Sequence, residues 1–143
     1  MTMHPRGIVP LLGERLRHRS IVVLTGSRQA GKTTLIRDLL PTAADRPVRL
    51  ISLDDADERL RLGADPVRLL DQPDTIVALD EIQKAPHLLD AVKFLADRGA
   101  RRRFVLLGSS QILLLDKVRE SLAGRASLVE LWPLAMAERV AGS

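Results

Sequence analysis

Ile21-Val22-Val23-Leu24-Thr25-Gly26-Ser27-Arg28-Gln29-Ala30-Gly31-Lys32-Thr33 is the stretch that decides the fold. An uninterrupted apolar, β-branched run, the pattern of a strand buried on both faces, leads into a loop that fits G-x-x-x-x-G-K-[ST] and then into helical spacing. Glycines let the backbone turn back on itself so that successive N–H groups point inward, and the following helix adds its positive end. A triphosphate fits that concavity. The expected binding set is Gly26, Ser27, Arg28, Gln29, Ala30, Gly31, Lys32, Thr33 and Thr34. Lys32 would reach the β- and γ-phosphate oxygens and the Thr33 hydroxyl would be a ligand of Mg²⁺. Thr34 reads first as a plain helix residue, and Arg28 as a solvent-facing side chain or one turned to a neighbouring subunit.

Four more short apolar runs follow, Val48 to Leu53, Thr75 to Leu79, Phe104 to Leu107 and Ser127 to Leu131, with helical segments between them. Thr33 to Leu40 places Leu35, Ile36, Leu39 and Leu40 on one face, and Pro41 is expected to stop it. Asp65-Pro66 reads as an N-cap with proline at the first helical position. Pro86 opens a helix whose inner stripe is Leu88, Leu89, Ala91, Val92 and Leu95, ended by Gly99. Ser109 or Ser110 caps another, carrying Ile112, Leu113, Leu115, Val118 and Leu122. Ile8 to Arg17 reads as a short N-terminal helix, and an amphipathic stretch begins after Trp132-Pro133. Strand and helix in alternation predict an α/β three-layer sandwich around a five-stranded, mainly parallel sheet.

The third run ends in Asp80-Glu81, two acids at the C-terminal edge of a strand, where open α/β sheets bind their ligands. Asp80 is expected to hold Mg²⁺, and Glu81 to orient or deprotonate the water that attacks the γ-phosphorus. In chain order one full strand, Val48 to Leu53, separates the phosphate-loop strand from the Asp80 strand. That order matches the additional-strand, catalytic-glutamate class of P-loop proteins. Guanine recognition of the N-K-x-D type is excluded because the chain has no Asn, so ATP is the expected nucleotide. Ser109 (or Ser110) and Arg125 are placed in the same crevice, the serine to sense the γ-phosphate and the arginine to stabilise transition-state charge in its own or a neighbouring subunit. Helix capping and an ordinary surface position are the alternatives. Asp54 and Asp55 read as a turn or cap, or as residues that bind metal-bound water or a substrate; Gln83 as a contact to the attacking water or a relay of nucleotide state, or as a cap or surface residue.

The 143 residues suit one domain, and 45% hydrophobic with 28% charged residues is an ordinary globular balance. No cysteine is present, which removes disulfides, thiolate nucleophiles and Cys-ligated zinc. Phe94, Phe104 and Trp132 are the only aromatics, too few for recognition by base stacking. No apolar stretch is long enough for a membrane span and no signal-type segment opens the chain, so cytoplasm is expected. Lys plus Arg (22) exceeds Asp plus Glu (18), an excess that suits phosphates in a nucleotide or a nucleic acid. Arg98, Arg101, Arg102 and Arg103 form a basic run expected to be a solvated face at the end opposite the crevice, or else a nucleic-acid or partner patch. His4, His18 and His87 show no metal-ligand spacing.

The words GSRQAGKTTL, ISLDD, LDEIQKAP, LLGSSQ, ESLAGRA and ELWPLAMAE, in this order over roughly residues 20–138, resemble prokaryotic AAA-type ATPases. In that group the ATPase domain is usually followed by a C-terminal domain of unknown function, which has no counterpart here. The resemblance implies a Walker A loop at Gly26 to Thr33, a Walker B pair at Asp80 and Glu81, and a sensor at Ser109 or Ser110. It implies a single ATPase domain over 1–143 that hydrolyses ATP with Mg²⁺, coupled to a protein partner, a homo-oligomer or a missing domain. A nucleotide-dependent switch or nucleic-acid-binding module with little hydrolysis is the competing expectation.

Overall fold

Side chains alternate along a strand, so an apolar run with no polar break must be covered on both faces. The computed structural model, which describes residues 2–3, 5–26, 31–99, 101–108, 116, 120, 122 and 124–131, shows how that requirement is met. The five expected strands are β2 (Ile21–Gly26), β3 (Val48–Ser52), β4 (Ile76–Asp80), β5 (Arg103–Gly108) and β6 (Ala126–Leu131). A two-residue β1 (Thr2–Met3) pairs with β6 at the edge. The order across the sheet is β1-β6-β2-β5-β4-β3, and every pairing among the described residues is parallel.

The two faces sort the strand residues by parity. Val22, Leu24, Ile76, Ala78, Val105 and Leu107 join Ile8, Leu12 and Leu16 of α1 (Pro5–His18) and Ile36 and Leu40 in one cluster. Ile21, Val23, Val77, Leu79, Phe104 and Leu106 join Leu62 of α4 (Ala56–Ala64), Leu70 of α5 (Pro66–Leu70) and the inner stripe of α6 (Leu88–Ala96) in the other. Burying one Leu, Ile or Val side chain in such a layer contributes about 1.5–3 kcal/mol, so the three-layer arrangement follows directly from the apolar runs.

Three local features differ from the sequence reading. The helix after the phosphate loop does not stop at Pro41. It runs as α2 (Lys32–Thr34), a π-helical stretch over Leu35–Leu39, and α3 (Leu40–Ala44), with Pro41 in the first turn of α3. The Leu40 N–H bonds the Leu35 carbonyl, five residues back. A wider turn there lets a residue without an N–H enter a restarted helix. The same shift turns Leu39 outward, half exposed, while Ile36 and Leu40 stay buried. The second feature is α4, which the sequence reading did not anticipate: Asp55 caps it by accepting from the Asp57 N–H at 2.9 Å, but only Leu62 marks a buried stripe. The third is Arg103, the first residue of β5, which is 8% exposed and therefore not part of a solvated arginine face.

Asp65 accepts from the Arg68 N–H and caps α5 with Pro66 at its first position, as the sequence indicates. Of the helix expected after Ser109 or Ser110, Ile112, Leu113, Leu115 and Val118 lie outside the described residues, as does the stretch after Trp132, while Leu122 is buried in the core. No helix among the described residues is long and apolar enough to cross a membrane.

Candidate nucleotide-binding cleft

Parallel strands put all their C-terminal ends on one edge, and the polar residues that follow them converge there. A cleft of ≈ 270 Å³ opens at this edge, lined by Gly31, Lys32, Thr33, Thr34, Asp54, Asp80 and Glu81. Gly31 supplies the bend into α2 with φ 74°, a left-handed conformation that favours glycine. Lys32, 5% exposed, donates from Nζ to the Gly26 carbonyl at 2.5 Å and the Gly108 carbonyl at 3.0 Å. The lysine therefore spans the ends of β2 and β5.

Thr33 donates from Oγ1 to Asp80 Oδ2 at 3.4 Å, joining the start of α2 to the end of β4. Burial, then the charge of Glu81, push the Asp80 carboxyl above the ordinary range, against the smaller opposing pull of Lys32. Glu81 has φ 61° and ψ 47°, left-handed for a residue with a side chain, and so carries backbone strain. Gln83 Nε2 donates to Glu81 Oε2 at 2.5 Å, and Gln83 Oε1 is buried with no partner among the described residues. Hydroxyl and carboxylate oxygens 3.4 Å apart on an open cleft are hard donors of the kind Mg²⁺ takes.

Sheet order places β5 between the phosphate-loop strand and the Asp80 strand. The separating strand in space is thus the one that ends in Gly108, whereas β3, which separates them in chain order, lies at the sheet edge. The fold brings together Gly26, Gly31, Lys32, Thr33, Thr34, Asp80 and Glu81. Ser27, Arg28, Gln29, Ala30, Ser109 and Ser110 lie outside the described residues.

Arg125 does not join them. It immediately precedes β6, whose Ala126 is in register with Ile21 at the start of β2, so it lies at the opposite edge of the sheet, and it pairs with Asp97 at 2.7 Å. Five residue steps along β2 separate the two edges, roughly 17 Å, so the crevice placement expected from sequence is corrected. Asp54, which the sequence offers as a cap or as a residue near the site, lines the cleft and pairs with Lys84, and Gln83 donates to Glu81, a contact the sequence does not indicate. Their signals were the DEIQ and LDD words.

A family model described as an AAA domain matches residues 18–140. Uncharacterized proteins of Mycobacterium tuberculosis and Mycobacterium bovis are each 37% identical to this chain over 132 residues, 92% of this chain but 29% of their own length. The chain thus spans less than a third of the curated relatives it matches. Among solved structures, the Walker-type ATPase PABY2304 of Pyrococcus abyssi aligns with a TM-score of 0.58 at 20% identity, over 87% of this chain and 53% of that one. The aligned structure shares the fold, and the family match together with the strand order and the cleft leads to one conclusion: the chain belongs to the AAA-type P-loop ATPase family.

Proposed function

We propose that this chain binds Mg²⁺-ATP in the cleft and hydrolyses it to ADP and phosphate. The observation that carries the reading is the convergence of Lys32, the Thr33–Asp80 pair and Glu81 on one sheet edge. Lys32 exchanges its carbonyl partners for β- and γ-phosphate oxygens, and the Gly31 turn presents the helix N-terminus to the phosphates. Thr33 and Asp80 would hold Mg²⁺, which on binding neutralises phosphate charge. Glu81, oriented by Gln83, accepts a proton from the attacking water, the role that puts the chain in the catalytic-glutamate class. Ser27 to Ala30 complete the phosphate loop and Ser109 acts as the sensor; Arg125 is left out of the chain's own catalytic set. The activity belongs to the 1–143 ATPase domain of a cytoplasmic protein and is coupled to a protein partner, a further copy or an additional domain.

Single-turnover hydrolysis of Mg²⁺-ATP by wild type and Glu81→Gln tests this. Loss of the chemical step with retained binding is expected, and unchanged hydrolysis removes Glu81 from the mechanism. A nucleotide-dependent switch with little hydrolysis is the second reading, favoured by the engagement of the Glu81 carboxylate with Gln83. Turnover of the isolated chain with and without DNA separates the two. A DNA role is weakened by the pairing of Arg101 with Asp74 and of Arg102 with Asp71, which engages two of the four arginines of the basic run.

A further inference from the structure

At the edge of the sheet opposite the cleft, three arginines from separate elements line one pocket of ≈ 210 Å³: Arg17 from α1, Arg46 from the segment between α3 and β3, and Arg103 from the start of β5. Gly13, Leu16 and Ile76 supply apolar wall, and no carboxylate lines the pocket among the described residues. Arg103 is 8% exposed, and its Nε is buried without a hydrogen-bond partner among the described residues. Its Nη1 donates to Ser20 Oγ at 3.0 Å and to the Arg102 carbonyl at 3.5 Å, both neutral, and no carboxylate pairs with the guanidinium among the described residues. Arg46 donates to a neutral carbonyl, that of Arg101, at 3.2 Å.

Of the carboxylates nearby, Asp74 pairs with Arg101 while its charge also acts on Arg46, and Glu14, one turn before Arg17, lines an adjoining cavity together with that arginine. Burial and the neighbouring charge of Arg46 both lower the Arg103 proton affinity. A buried unpaired guanidinium beside a second cation is costly unless an anion completes it. Planar N–H forks match the oxygens of a phosphoryl group.

We propose that Arg17, Arg46 and Arg103 form a second anion site, separate from the nucleotide cleft, that takes a phosphate dianion, free or as a small monoester. Arg103 and Gly108 are the first and last residues of β5, so the site lies roughly 17 Å along that strand from the carbonyl that Lys32 contacts.

The test is calorimetric titration of the full chain with inorganic phosphate, and separately with glycerol 3-phosphate, at constant ionic strength against a chloride control. Wild type, Lys32→Met and Arg17→Ala/Arg46→Ala are compared. The expected result is one ion per chain that persists in Lys32→Met, where the cleft has lost its phosphate ligand, and whose affinity falls roughly tenfold or more in the double variant, the scale of losing charge-assisted hydrogen bonds. Binding of the ester but not the free ion, with the same arginine dependence, also supports the site and identifies its source. Binding that disappears in Lys32→Met and persists in the double variant places the phosphate in the nucleotide cleft and overturns the proposal, as does no binding to wild type. Thermal melting of Arg103→Met provides a second reading. Its midpoint should not respond to low-millimolar phosphate, whereas that of wild type rises; an equal rise in both contradicts the site.

Discussion

Lys32 joins two neighbouring strands at the same edge, its Nζ 2.5 Å from the carbonyl oxygen at the end of β2 (Gly26) and 3.0 Å from that at the end of β5 (Gly108). The ammonium is thereby held over the cleft before any phosphate arrives. Replacing Lys32 by Met should weaken Mg²⁺-ATP binding by roughly 10- to 100-fold, the cost of losing charge-assisted hydrogen bonds to phosphate. Arg at this position should not rescue it, because a planar fork cannot take the place of a compact point charge. Fluorescent-nucleotide titration of the two variants checks both expectations.

Glu81 combines a functional side chain with a left-handed backbone. Glu81→Gly should therefore stabilise the fold by about 1 kcal/mol while abolishing turnover, since strain at a functional position is relieved when the side chain that required it is removed. Denaturant unfolding beside a phosphate-release assay measures the two effects together. Glu81→Gln should lose turnover without that gain in stability.

Asp80 carries a pH signature. Its carboxyl binds protons more tightly folded than unfolded, so in the window between the ordinary carboxylate value and its raised one the folded chain holds the extra proton. This contribution to stability falls as pH rises through that window, and above it the ionised Asp80 is a constant penalty. Asp80→Asn should raise the melting temperature of the nucleotide-free protein at neutral pH, and the difference from wild type should shrink on acidification. The same variant should lose the Mg²⁺ dependence of nucleotide binding.

Much of this architecture could be read from the chain because strands such as Ile21–Gly26 and Ile76–Asp80 are apolar on both faces, and only a covered parallel sheet satisfies them. The places of Lys32, Thr33, Asp80 and Glu81 at the cleft were legible because these residues stand at or beyond the C-terminal ends of such strands. Sheet order was not, since spatial adjacency of β5 to β2 is a long-range property that chain order does not encode. Helix α4 escaped notice because Leu60 is 75% exposed and a single leucine faces the core. Arg125 was misplaced because residues just before a parallel strand belong to its N-terminal edge, a rule that also puts Arg103 away from the cleft.

Arg125→Ala follows from that placement. Its partner Asp97 and its position at the start of β6 predict unchanged Mg²⁺-ATP affinity for the isolated chain. Equilibrium titration of the variant checks this, and a large loss of affinity would contradict the sheet geometry described here.

The central claim is that one cleft, built by Gly31, Lys32, Thr33, Asp80 and Glu81, receives Mg²⁺-ATP. Isothermal titration of Glu81→Gln with Mg²⁺-ATP, beside the same protein carrying Lys32→Met, tests it most directly. The account predicts one saturable site per chain that is lost or severely weakened by the second substitution. Absence of binding at millimolar nucleotide by the folded protein, or equal binding with and without Lys32, would contradict it.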